Sequence, residues 1–155
     1  MTTTSLLKNL YLFKRLNEDQ LQVIADMARL ESVAAGEDVF LQGSEAKALY
    51  IIKLGSVRIH QKSRQGENIE VATLGAGSHF GEMPLLDSEA RSASATTLEE
   101  SDIVAIDYDK LKTVLETRQD MAISIYRELA LFLCGRLRIT TSDLSFSREK
   151  NLSHF

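Results

Sequence analysis

The chain is poor in the residues that stiffen or cross-link a fold, with one proline, one cysteine and no tryptophan among 155 residues. A lone Cys134 cannot close an internal disulfide, which excludes the stapled secreted class and fits a reducing compartment. Histidine is scarce too, at positions 60, 79 and 154, without the paired spacing or cysteine partner that a metal centre needs. No apolar run approaches the roughly 20 residues that span a bilayer. Residues 1–5 lack a basic region followed by an apolar stretch, so no secretory leader is expected. Positive charge is not in surplus: 18 Lys+Arg against 22 Asp+Glu leave a net charge of −4. That balance argues against nucleic acid as a default partner. What is present, 44% hydrophobic and 26% charged residues, is the make-up of an ordinary globule with a single core. The expectation is one soluble, cytoplasmic domain.

Glycine is unevenly spread, with seven of eight between Gly36 and Gly81 and the last at Gly135. In the same central part, short β-favouring runs alternate with turn signals: Val39-Phe40-Leu41 before Gly43, and Leu49-Tyr50-Ile51-Ile52 before Gly55. Val57 and Ile59 then alternate with Arg58 and His60, and Ile69, Val71 and Thr73 with Glu70 and Ala72. Period-2 alternation turns one apolar face inward, which here selects Ile69 and Val71. Two more strands are expected at Ser92–Thr97 and Ile103–Ile106. Many short strands at this spacing suggest a compact barrel, sandwich or roll.

Both ends read as helix. Asn17 with Gln20 forms a capping-box pattern ahead of Leu21, Ile24, Ala25 and Ala28. Asp107 is expected to cap a helix over Tyr108–Glu116. A long helix is expected from about Gln119 to Ser142, its face marked by Met121, Ile125, Leu129, Phe132, Leu133, Leu137 and Thr140. This stripe reads as core, dimer interface or both. Gly135 inside it costs roughly 1 kcal/mol relative to alanine, which suggests a bend or a close approach.

The densest chemistry lies between His79 and Ala93. Pro84, at home in the first turn of a helix, would leave preceding N–H groups directed outward beside the small Gly81, a ready anion site. Nine residues after Glu82 comes Arg91, whose guanidinium can hold a phosphate through two parallel hydrogen bonds. An ionised Glu82 only accepts, so it suits sugar hydroxyls. The spacing suggests a phosphorylated sugar between a carboxylate and an arginine.

These residues carry a resemblance. Phe80-Gly81-Glu82-Met83-x-Leu85-Leu86 followed by Arg91-Ser92-Ala93 resembles the phosphate-binding cassette of the cyclic nucleotide-binding domain family. The likeness continues through Gly36, Gly43, Tyr50-Ile51-Ile52, Gly55-Ser56-Val57, Gly66, Leu74 and Gly77, and covers roughly Leu10–Asp143. It implies a mainly β fold, an eight-stranded jelly-roll-like β-roll with N-terminal helices and a long C-terminal helix. The domain is assigned to residues 5–143, with 144–155 as a disordered tail. The resemblance implies a regulatory ligand, cAMP rather than cGMP, and neither a cofactor nor catalysis. By the same resemblance Glu82 would bind the ribose 2′-hydroxyl, with Gly81 donating its N–H nearby and Phe80 and Met83 adjoining. Arg91 would pair with the cyclic phosphate, helped by Ser92 and Ala93. Arg136-Leu137-Arg138-Ile139-Thr140-Thr141 is similar to the base-contacting stretch of bacterial catabolite activator-like proteins, which makes Thr140 and Thr141 candidate base contacts.

Those activators continue into a helix-turn-helix domain, for which about a dozen further residues leave no room, so DNA binding by this chain is not implied. The expected partners are the cyclic nucleotide, a second copy through the long helix and an effector of unknown identity, with no membrane. The alternative reading is a nucleotide-free interaction or dimerisation module of the same fold. A metal-dependent β-roll enzyme would need clustered histidines around His79, and Cys134 reads as a small buried hydrophobe.

Overall fold

The computed structural model describes residues 2–81 and 89–152. It begins with short helical pieces whose apolar positions share one destination. In α1 (Thr3–Lys8) the Thr2 hydroxyl caps the first turn by accepting the Ser5 N–H. A single 3-10 turn spans Tyr11–Phe13. In α2 (Glu18–Met27) the capping box forms as expected: the Asn17 side chain accepts the Gln20 N–H at 2.9 Å, and Gln20 accepts the Asn17 N–H at 3.0 Å. Leu7, Leu12, Phe13, Leu21 and Ile24 are fully buried as a result.

Eight strands follow among the described residues: β1 (Arg29–Val33), β2 (Asp38–Phe40), β3 (Ala48–Leu54), β4 (Val57–Lys62), β5 (Asn68–Leu74), β6 (His79–Phe80), β7 (Ser94–Thr97) and β8 (Ser101–Asp107). They form two antiparallel four-stranded sheets, in the orders β1-β8-β3-β6 and β2-β7-β4-β5. This is the expected mainly β roll with flanking helices.

The sequence reading passed over β1, because Arg29-Leu30-Glu31-Ser32-Val33 follows α2 without a turn signal and stays half exposed at the sheet edge. The strand expected from Ser92 begins only at Ser94.

The core has two compartments that share strands β3 and β8. Tyr50, Ile52, Ile103 and Ala105 face the roll interior, with Val57, Phe80 and Ala95. Leu49, Ile51, Val104 and Ile106 face outward onto the helices. Burial on both faces explains the unbroken apolar run Leu49-Tyr50-Ile51-Ile52, which half-buried strands would not tolerate. Each such aliphatic side chain contributes about 1.5–3 kcal/mol by leaving water.

Strand β5 departs from the expected pattern. Ile69 and Val71 remain about half exposed, at 48% and 54%, while Ala72 and Leu74 sit closer to the interior. The register explains it: Ile59 pairs with Ala72 but the next residue, His60, pairs with Glu70, so Val71 is bulged out of the ladder.

Two helices complete the chain, α3 (Tyr108–Thr117) and α4 (Gln119–Leu152). Asp107 stands at the N-cap of α3, yet its carboxylate makes no capping bond and pairs with Arg29 on β1. In α4, Met121, Ile125 and Leu129 are buried, and Leu133 packs partly against the same cluster. A carboxylate buried among them, Glu128, pairs with Lys14 at 3.3 Å and with Arg15. Beyond Leu133 the helix leaves the body, and its described side chains from Cys134 onward are exposed.

Cys134 is therefore exposed rather than a core residue. The helix also runs on to Leu152, past the end expected near Ser142 and into the stretch 144–155 expected as a tail, of which 153–155 lie outside the described residues. No proline or glycine interrupts residues 136–152. Apolar periodicity reports burial, and an exposed helix need not show it.

Candidate functional site

Arg91 is the one buried cation among the described residues. Its main chain is clamped to the β2–β3 loop: the Gly43 N–H donates to the Arg91 carbonyl at 2.8 Å, and the Arg91 N–H donates to the Ser44 carbonyl at 2.9 Å. The side chain turns inward and is only 5% exposed. Its Nη2 donates to the Ala48 carbonyl at 2.6 Å, and Nη1 to the Gly81 carbonyl at 3.4 Å. The guanidinium carbon lies 4.0 Å from the centre of the Phe40 ring, so the cation rests on an aromatic face.

Tyr50 stacks on Phe80 at 5.4 Å and completes this aromatic bed. Burial pushes the Tyr50 phenol up, with Glu31 adding to the effect, so it stays neutral beside the arginine. Among the described residues no carboxylate pairs with Arg91, and its Nε finds no hydrogen-bond partner. A buried cation that keeps a donor in reserve is suited to an anion.

That cation faces a cavity of about 410 Å³, within the roughly 300–1,000 Å³ typical of small-molecule sites. One wall is apolar, made by Ile59, Ala72 and Leu74 from β4 and β5 and by Phe40 and Phe80. The lining also includes Gly81 and residues 89–93, among them Arg91, Ser92 and Ala93. Apolar side chains beside a buried, anchored cation fit a ligand with a flat apolar part and an anionic group.

Gly81 permits the close approach. Its φ is +83°, and a Cβ there would lie 2.5 Å from Arg91 Nη1 and 3.4 Å from the Ala48 carbonyl. The left-handed backbone favours glycine, and a Cβ would force the guanidinium to shift.

Of the residues singled out from sequence, Phe80, Gly81, Arg91, Ser92 and Ala93 meet at this cavity. Glu82, Met83 and the short helix expected at Pro84–Leu86 lie outside the described residues. Thr140 and Thr141 do not line the cavity. They are exposed on the free part of α4, where the Thr141 hydroxyl donates to the Leu137 carbonyl at 2.8 Å. The helix residue that does line it is Arg136, one turn nearer the body, whose guanidinium lies 5.2 Å from the Phe132 ring centre.

Sequence reasoning quoted Arg136 only as a flank of the Thr pair. The usable signal was its spacing from Phe132, four residues along the same helix face. Glu128 went unremarked because a glutamate on a helix is normally exposed.

The sequence model of the "Cyclic nucleotide-binding domain" matches residues 30–118, more than half of the chain and most of the cavity lining. The chain belongs to the cyclic nucleotide-binding domain family. Relatives of the domain fall in more than one class of regulator. The "Cyclic AMP receptor protein" of Thermus thermophilus is 34% identical over 75% of this chain and 53% of its own length. The "cGMP-dependent protein kinase, isozyme 1" of Drosophila melanogaster is 31% identical over 73% of this chain and 15% of its own length. The chain thus spans about half of the first and a small part of the second. Among solved structures, the N-terminal domain of a transcriptional regulator from Streptomyces coelicolor superposes with a TM-score of 0.77. It is 28% identical, over 88% of this chain and 95% of that one.

Proposed function

We propose that this domain is a non-enzymatic sensor that binds cAMP in preference to cGMP and answers by repositioning α4. The observation that carries the reading is Arg91, buried without a carboxylate partner among the described residues and facing the cavity. In this reading the cyclic phosphate takes the reserve donors of Arg91, with the Ser92 and Ala93 N–H groups adding to them. Gly81 and Glu82 serve the ribose, the carboxylate accepting from the 2′-hydroxyl. The base lies along the apolar wall towards α4, where Arg136 contributes, and Thr140 and Thr141 join it if the helix closes further.

The ligand can shift the helix only by as much as its affinity differs between the two helix positions. Similarity to a cyclic AMP receptor supports the choice of cAMP, and the cGMP-dependent relative makes cGMP the comparison ligand. The output would pass through an effector or through a second copy. Ile123, Tyr126, Leu137 and Leu144 are exposed on α4 at heptad-compatible spacing, which supports a parallel pairing of two such helices.

Isothermal titration of the full chain with cAMP, cGMP and 5′-AMP tests the reading. Saturable binding of cAMP, weaker for cGMP and absent for AMP, is expected. No heat with either cyclic nucleotide would overturn it in favour of the interaction-module alternative. Preference for cGMP would overturn the base assignment alone.

A further inference from the structure

Two residues that line the cavity from different elements are joined by a stack of rings outside its lining. His79, on β6, and Arg136, on α4, both reach the cavity wall. Outside the lining, the Tyr11 ring lies nearly parallel to Phe132, with centroids 4.2 Å apart and planes at 13°. The same Tyr11 ring meets His79 at 5.0 Å and 56°. Phe132 in turn carries the Arg136 guanidinium at 5.2 Å. Strand, N-terminal turn and helix therefore touch one another through a continuous series: His79, Tyr11, Phe132, Arg136.

The geometry makes Tyr11 the fixed member of that series. It sits in the 3-10 turn whose next two residues, Leu12 and Phe13, are fully buried, so its backbone cannot drift. Lys14 and Arg15, just beyond, hold Glu128, one helical turn before Phe132. The helix is thus tied to residues 11–15 at two successive turns, and the third turn brings Arg136 to the cavity.

Arg136 is a long, exposed side chain on a helix surface and would otherwise sample many rotamers. What selects one region of space for its charge is the face of Phe132, and what fixes that face is Tyr11.

We propose that Tyr11 is a positioning residue for the nucleotide: through Phe132 it sets where the Arg136 guanidinium stands at the cavity. Through His79 it holds β6 against the same helix. The inference rests on the nucleotide reading above and names a residue that does not itself line the site. It predicts that Arg136 helps binding only while the ring stack is intact.

The test is a double-mutant cycle on the full chain, read by calorimetric titration with cAMP. Arg136→Ala and Tyr11→Leu are each expected to weaken binding about tenfold. The double variant should be no weaker than the poorer single variant, because Tyr11 acts through Arg136. Tyr11→Phe, which keeps the ring, should stay within about threefold of the parent.

Tyr11 and Arg136 act through Phe132 and not on each other directly, so a purely structural Tyr11 would give additive losses, about a hundredfold in the double variant. Additive losses, or parental affinity in Tyr11→Leu, would overturn the proposal. Phe132→Leu repeats the test from the other ring if Tyr11→Leu fails to fold, and it too should abolish the effect of Arg136→Ala. If the parent binds neither cAMP nor cGMP, the nucleotide reading itself falls. If the parent binds and the cycle is additive, only the positioning role falls.

Discussion

Arg91, 5% exposed, rests on Phe40 and donates to two main-chain carbonyls. Carbonyls and rings compensate a cation less fully than a carboxylate does, and in the proposed reading the remainder would serve a ligand phosphate. Arg91→Ala should therefore weaken cyclic-nucleotide binding at least about 30-fold, or about 2 kcal/mol, by calorimetry. Arg91→Lys should not restore it, because a lysine cannot span two acceptors and a phosphate at once. Gly81→Ala places a β-carbon against the same guanidinium at φ +83°. It should cost about 1–2 kcal/mol in thermal unfolding and displace Arg91, so affinity falls with stability. At this scale much was legible in the sequence. Phe80-Gly81 and Arg91-Ser92-Ala93 have fixed offsets that survive without knowledge of the packing. The contribution of Arg136 depends on which turn of α4 passes the cavity, and that follows from how the helix is seated.

Seating is a property of elements, and for α4 it depends on Glu128. Burial alone would push that carboxyl up, but Arg15 and Lys14 outweigh it and hold it below the usual range. A carboxylate with a depressed folded-state pKa adds stability above its unfolded value, near 4.3, and loses it as pH falls through the folded value. Glu128→Gln should cost about 1–2 kcal/mol at pH 7, a modest figure because Lys14 and Arg15 are half exposed and return to water. The gap between the two proteins should close as pH is lowered below about 4.3 in urea-unfolding titrations. Gly135 gives the opposite expectation. Nothing lies within 4 Å of a Cβ there and its φ is not positive, so neither close approach nor backbone conformation requires glycine. Gly135→Ala should raise stability by about 0.5–1 kcal/mol, seen as a higher Tm. The elements show why reading the sequence goes only part of the way. Asn17 and Gln20 announce α2 because a capping box is local, whereas Asp107 is drawn from its cap by Arg29, 78 positions away in the chain. Val71 alternates correctly and still faces outward, because a bulge is decided jointly by two strands.

For the whole molecule the open question is what meets the exposed part of α4. If two copies pair along Ile123, Tyr126, Leu137 and Leu144, sedimentation equilibrium should show a dimer at micromolar concentrations. Leu137→Glu should convert it to monomer while leaving the cavity residues untouched. A monomeric parent would remove the pairing and leave the nucleotide site standing. Mechanically, α4 would act as a lever if it pivoted at Gly135, where the helix lacks a side chain. From Gly135 to Leu152 it rises about 25 Å at 1.5 Å per residue. A tilt of roughly 10° at the pivot would carry its far end roughly 4 Å, by that same length. Arg136 stands one residue past that pivot, at the root of the same arm. If a bound ligand moved Arg136 by a fraction of an ångström in this way, whatever reads the far end of the helix would receive the movement multiplied.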